Sequence, residues 1–144
     1  LPCRCGQIGC LETLASAQAV VRRYKELSAE AQLISLEEVE KKFVEGDGNA
    51  RQVVLEAGHY LGEFIGFLAA TLNIQEIILT GDMTRFGEPW LNAVRQAMLQ
   101  SALERLTEDS QLEVGELDYR ACILGAAAHF LMDGYALLFR QAES

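Results

Sequence analysis

The chain has 144 residues, half of them apolar, and a formal charge of −9 at pH 7. That length supports one domain with a core of its own, and an acidic balance of this size opposes close approach to nucleic-acid phosphates. No charge-free apolar run reaches bilayer length, because Val53 to Leu72 carries Glu56, His59 and Glu63.

The first feature along the chain is Cys3-Arg4-Cys5-Gly6-Gln7-Ile8-Gly9-Cys10-Leu11-Glu12, with three cysteines inside eight residues. Gly6 and Gly9 permit the tight turns that let three thiolates converge. Convergent thiolates suit a tetrahedral Zn²⁺ with sulfurs about 2.3 Å away, although three are one ligand short. The alternatives are a disulfide or free thiols. A Cys3–Cys5 bridge closes a strained ring, and a chain with no signal-peptide pattern is expected in the reducing cytoplasm, soluble. Cys122, in the apolar run Ala121-Cys122-Ile123-Leu124, reads as a small core residue.

Leu11, Leu14, Ala15, Ala19, Val20 and Leu27 recur at helical spacing, which predicts one helix over residues 10 to 27. The basic patch Arg22-Arg23-Tyr24-Lys25 on it reads as a solvated face. Ser35 followed three residues later by Glu38 is a capping box, opening a helix that ends near Glu45 and Gly46. Asp47-Gly48-Asn49 caps a long helix from about Ala50 to Asn73. Gly58, Gly62 and Gly66 fall four residues apart on one face of it. Each costs a helix roughly 1 kcal/mol against alanine, so the stripe predicts a neighbour packed close to the backbone.

Ile77-Ile78-Leu79 suits a buried parallel strand, and Thr80-Gly81-Asp82-Met83-Thr84 is the loop at its end. Pro89 marks the first position of a helix running to about Leu106. Leu112 to Leu117 alternates as a second strand, and a last helix is predicted from about Tyr119 to Arg140. No internal repeat or linker interrupts the chain. The order is α/β and helix-rich, with too few strands to complete a sheet.

The Cys-x-Cys-Gly-x-x-Gly-Cys-x-Glu arrangement at residues 3 to 12 resembles the signature of the ROK family of sugar kinases and sugar-responsive repressors. Gly46-Asp47-Gly48-Asn49-Ala50 is similar to the Gly-Asp-x-x-Ala ahead of that family's long helix. Glu116-Leu117-Asp118-Tyr119-Arg120 through Gly125-Ala126 looks like a run found in its repressors. The resemblance covers essentially the whole chain. It implies a partial C-terminal, sugar-sensing domain over residues 1–144, part of an actin-like, ribonuclease-H-like lobe whose first strands lie upstream of Leu1.

The resemblance further implies that Cys3, Cys5 and Cys10 bind a structural Zn²⁺ whose fourth ligand is an upstream histidine. His59 and His129, the two histidines of the chain, are expected to be ordinary core or surface residues. Glu12 matches the family's sugar-contacting glutamate, since a carboxylate can accept from two adjacent hydroxyls; read locally, it is a first-turn acid stabilising a helix N-terminus. Family kinases hold ATP partly through a Gly-Gly pair after a strand. Here Leu79-Thr80-Gly81-Asp82 leaves Gly81 and puts Asp82 at the second glycine, a degenerate nucleotide loop; read locally, Asp82 is a solvated or capping aspartate.

The regulator branch is therefore the reading, with a sugar kinase as the alternative and a zinc-stabilised interaction domain outside the family as a third. The catalytic aspartate, the first phosphate loop and any DNA-binding helix-turn-helix are expected upstream, so no kinase activity is expected of these residues and DNA would be reached only through that further domain. Uncovered sheet edges and apolar helix faces predict a homo-oligomer, with a sugar as effector of the intact protein and no membrane partner.

Overall fold

The computed structural model describes residues 1–29, 34–101, 111–115 and 123–132. A single turn, α1 (Glu12–Ala15), leads into α2 (Ala17–Ser28). The continuous helix expected over 10 to 27 is broken because Ser16 adopts extended φ/ψ (−78°, 161°) and its hydroxyl accepts the Ala19 amide at 3.1 Å. A serine that caps ends the preceding turn as it starts the next. Helix α2 closes on Ala29 in the left-handed region, φ 52°.

Helix α3 (Leu36–Val44) carries the capping box in both directions: Ser35 Oγ accepts the Glu38 amide at 3.3 Å, and the Ser35 amide donates to Glu38 Oε2 at 2.8 Å. Helix α4 (Gly48–Leu72) starts two residues earlier than expected, with Asp47 Oδ1 accepting the Ala50 amide at 2.8 Å, and stops at Asn73 in the left-handed region. By length and composition α4 could cross a bilayer, but it packs against α1, α2, α3 and α5 (Gly87–Ser101), most extensively against α5.

Between α4 and α5 run strand β1 (Glu76–Leu79) and a 3₁₀ turn, Asp82–Phe86. The turn hands over to α5 at Gly87, so Pro89 falls inside the first helical turn, where a missing N–H costs no intrahelical bond. Strand β2 (Gln111–Val114) pairs parallel with β1, Ile77 opposite Leu112 and Leu79 opposite Val114, with α5 in the crossover. The rest of the predicted α5, strand and last helix, with Cys122, lies outside the described residues. Of that last helix the described part is α6 (Ile123–Met132), whose Ile123, Leu124, Phe130, Leu131 and Met132 are exposed.

The core forms where α2, α3, α4 and α5 meet the inner face of the strands. Val39, Val54 and Val94 are fully buried and Trp90 is 2% exposed. Phe43 and Phe86 meet edge to face, centroids 5.4 Å apart, which seats the 3₁₀ turn on α3.

The glycine stripe lies where close packing requires it. A Cβ on Gly58 would touch Trp90 and Ala93; one on Gly62 would overlap the Val94 carbonyl and lie 2.7 Å from Ala97 Cβ; one on Gly66 would overlap Ser101 Oγ and lie 2.6 Å from the Met98 carbonyl oxygen. Partners rise together from 90 to 94 to 98, so α4 and α5 run in the same direction, as two helices flanking one strand of a parallel unit must.

Candidate metal centre and adjoining cleft

The cysteine loop is held by its own backbone. Pro2 and Ile8 form an antiparallel bridge, the Cys3 amide donates to the Gln7 carbonyl at 2.8 Å, and the Gly6 amide donates to the Cys3 carbonyl at 3.0 Å. Gly6 (φ 87°) and Gly9 (φ 82°) take left-handed turns, and no atom lies near the position of an added Cβ. Their requirement is therefore conformational rather than steric crowding.

These turns bring the Sγ atoms of Cys3, Cys5 and Cys10 within 4.8 Å of one another, with Cys5 and Cys10 at 3.5 Å. A tetrahedral ion with sulfurs at about 2.3 Å sets sulfur–sulfur edges of about 3.8 Å, so the donor set fits Zn²⁺. All three thiols are free rather than bridged. The cluster divides its protons unevenly. Hydrogen bonds from the Gln7 backbone, and then from Cys10 and Cys3, lower the Cys5 pKa, while the bond to Cys5, the bond to Cys3 and desolvation push Cys10 up to about 11. Three converging sulfurs are the arrangement that a bound cation stabilises, by drawing the protons off its ligands. Among the described residues, neither histidine joins them; His59 sits on α4 beside Glu63, at 3.4 Å.

Glu12 opens α1 directly after the cluster. Its carboxylate pairs with Arg4 at 2.8 Å and lies 4.0 Å from Cys3 Sγ. It also lines a cleft of about 370 Å³ with Ser16, Leu61, Thr80, Asp82 and Trp90. The structure thus brings Glu12 and Asp82 to one cleft, a meeting that chain order does not reveal. Gly81 (φ 107°) turns the chain out of β1, and Thr84 Oγ1 donates to its carbonyl at 2.8 Å. Arg85 clamps the turn to α3 through Glu37 at 2.9 Å and Glu40 at 3.6 Å. The Arg85 guanidinium in turn helps hold Glu37 below the usual carboxylate range, after that residue's own backbone amide.

Two residues beside the cluster escape the sequence reading. Thr13 is a buried polar side chain, 7% exposed, whose hydroxyl donates to the Cys10 carbonyl at 2.7 Å. Arg22, read as part of a solvated patch, donates through Nη2 to the Thr13 carbonyl at 2.6 Å. The one available signal was a threonine set between an acid and an apolar pair at the start of a helix.

A family model described as "ROK family" matches residues 1–132. A glucokinase from Halalkalibacterium halodurans is 30% identical over 136 residues, covering 86% of this chain and 41% of the glucokinase. A xylose repressor from Caldicellulosiruptor bescii is 30% identical over 142 residues, covering 91% of this chain and 36% of the repressor. The crystal structure of a ROK family glucokinase from Streptomyces griseus, in complex with glucose and AMPPNP, superposes with a TM-score of 0.79 at 23% identity, over 89% of this chain and 46% of that one. The chain spans less than half the length of each.

Proposed function

This chain belongs to the ROK family, and on that premise we propose that it is the C-terminal part of the sugar-sensing domain of a ROK transcriptional regulator. Its helix-rich α/β architecture is the one found in ROK sugar kinases, whose fold is actin-like. The family contains both kinases and repressors, and both kinds resemble this chain at 30% identity.

The observation that favours the regulator is Asp82 in this cleft, since the Glu12 contact is common to both readings. By resemblance, Asp82 would stand on the loop where a kinase of this family offers backbone amides to phosphate; it lines the same cavity as Glu12. A carboxylate about 4 Å from a phosphate oxygen repels it by roughly 4 kcal/mol at an effective dielectric of 20. Uncharged sugar hydroxyls, by contrast, are good donors to these oxygens. Glu12 would accept from two adjacent hydroxyls, and Arg4, at 2.8 Å, would keep it aimed.

Cys3, Cys5 and Cys10 would hold a structural Zn²⁺. Bound there, the ion supplies a cross-link that fixes the loop before α1 and hence the start of the segment carrying Glu12. DNA would be contacted by a further domain, the setting would be the cytoplasm, and apolar surface such as that of the exposed α6 would pair copies of the protein into a homo-oligomer. The kinase alternative keeps the same sugar contact and requires nucleotide beside Gly81 and Asp82. A zinc-stabilised interaction module would require neither.

Equilibrium titration of the intact gene product separates these readings, with D-glucose, D-xylose, operator DNA and Mg-ATP as ligands. The regulator predicts DNA binding that a sugar weakens or strengthens, with no ATP uptake. ATP binding coupled to sugar phosphorylation would overturn it in favour of the kinase. Binding of neither sugar, DNA nor ATP would leave the interaction module.

A further inference from the structure

We propose that Thr13 and Arg22 are positioning residues, a hydrogen-bonded strut that ties the cysteine cluster and Glu12 to helix α2. The inference rests on reading the cluster as a metal site and adds to it two residues that touch no metal.

Helix α1 has four residues, and Leu11 at its N-cap offers no side-chain cap. One isolated turn is unfavourable to form, so the geometry of Glu12 must be imposed from outside. On the amino-terminal side, Thr13 grips the Cys10 carbonyl twice, through its hydroxyl at 2.7 Å and its amide at 2.9 Å. On the other side, the Thr13 carbonyl lies where a short helix lacks internal donors. Arg22 Nη2, from α2, donates to it at 2.6 Å, and the Arg22 guanidinium is itself steadied by Glu26 at 3.7 Å.

The consequence is directional. The Cys10 peptide sets the direction of its Cα–Cβ bond, and its Sγ, 3.5 Å from Cys5 Sγ, must stay near the edge of about 3.8 Å that lets both reach one ion. Residues that orient ligands without touching the metal commonly change affinity about tenfold or more. Because Glu12 lies between Cys10 and Thr13 in the chain, the same strut sets the origin of its carboxylate. A buried threonine placed only for packing would be replaceable by valine; one placed to hold Cys10 would not.

The test uses the intact gene product, which includes the segment upstream of Leu1, under reducing conditions, with Zn²⁺ affinity measured by competition against a chromophoric chelator and Co²⁺ as a spectroscopic probe of tetrahedral thiolate geometry. Thr13→Val and Arg22→Gln are each expected to weaken Zn²⁺ about tenfold and to alter the Co²⁺ ligand-field bands. Thr13→Ser and Arg22→Lys, which keep the donors, should recover most of the affinity. Glu26→Gln, which weakens the support of Arg22 but leaves its bond to Thr13, should lose clearly less affinity than Arg22→Gln.

Wild-type affinity and spectrum in both Thr13→Val and Arg22→Gln overturn the strut while leaving the metal site in place. So does a Glu26→Gln loss equal to that of Arg22→Gln, which assigns the effect to the ion pair. A wild-type intact protein that takes up no Zn²⁺ overturns the metal reading and the strut together. Far-UV circular dichroism and urea midpoints identify a variant that fails to fold, and the conservative pair then decides: loss of metal affinity in a folded Thr13→Ser or Arg22→Lys protein counts against the strut.

Discussion

Adding one methyl group at Gly62 should destabilise the protein by about 2 kcal/mol. Alanine is favoured over glycine inside a helix by about 1 kcal/mol, so on propensity alone the substitution would help. The packing term opposes it. The new Cβ overlaps the Val94 carbonyl oxygen and lies 2.7 Å from Ala97 Cβ and 3.0 Å from the Met98 amide nitrogen. Two of these neighbours are backbone, so no rotamer change relieves them and α5 must move away by about an ångström. Overpacking of this kind costs about 3 kcal/mol, because the separated helices lose contact along their length.

Urea denaturation followed by circular dichroism at 222 nm reads the difference directly. Gly48→Ala is the internal reference: it sits at the exposed start of the same helix with nothing near its added Cβ, and is expected to gain about 0.5 kcal/mol. Gly58→Ala, whose contacts are all at 3.1 Å, should fall between the two. A Gly62→Ala protein as stable as Gly48→Ala would refute the close approach of α4 and α5.

Other outcomes follow from the same geometry. Cys10→Ser should abolish stoichiometric Zn²⁺ in the purified intact gene product by atomic emission, since a site with one thiolate fewer holds the ion far more weakly; full retention would remove Cys10 from the site. Glu12→Gln in the intact gene product should lower sugar affinity at least tenfold by calorimetry while leaving the metal content unchanged, and unaltered sugar binding would return Glu12 to a local helix-stabilising role. Ser35→Ala, which loses one half of the capping box, should cost about 1 kcal/mol, and a change under a few tenths would mean the Glu38 half suffices.

Features governed by near neighbours were legible in the sequence. The Ser35–Glu38 box, the Asp47 cap and the turns at Gly6 and Gly9 each depend on atoms within a few residues, and each formed. The glycine stripe announced a close partner by its spacing, although nothing local identified α5 as that partner. Ser16 was overlooked because the apolar period of Leu11, Leu14, Ala15 and Ala19 continues through it, and a period does not register a hydroxyl that prefers to cap. The role of Arg22 was hidden for a related reason. A run of adjacent basic residues looks solvated until the turn before it folds back and presents a carbonyl. Glu12 and Asp82 share a cleft only because α4 and β1 return the chain past its own beginning, a long-range fact that neither residue's surroundings encode.

The pairing of Gly58, Gly62 and Gly66 with 90, 94 and 98 also bears on how such a chain can change in length. Each notch on α4 receives a ridge of α5 at the same four-residue interval. A single residue inserted between Gly58 and Gly66 would turn the later notches by about 100°, carrying side chains into the backbone of α5 and leaving the glycines facing elsewhere. Relatives should therefore exchange residue types freely on the outer faces of these helices while gaining or losing residues only in the connections beyond them. Gaps in an alignment of such relatives should be absent between residues 58 and 66 and between residues 90 and 98.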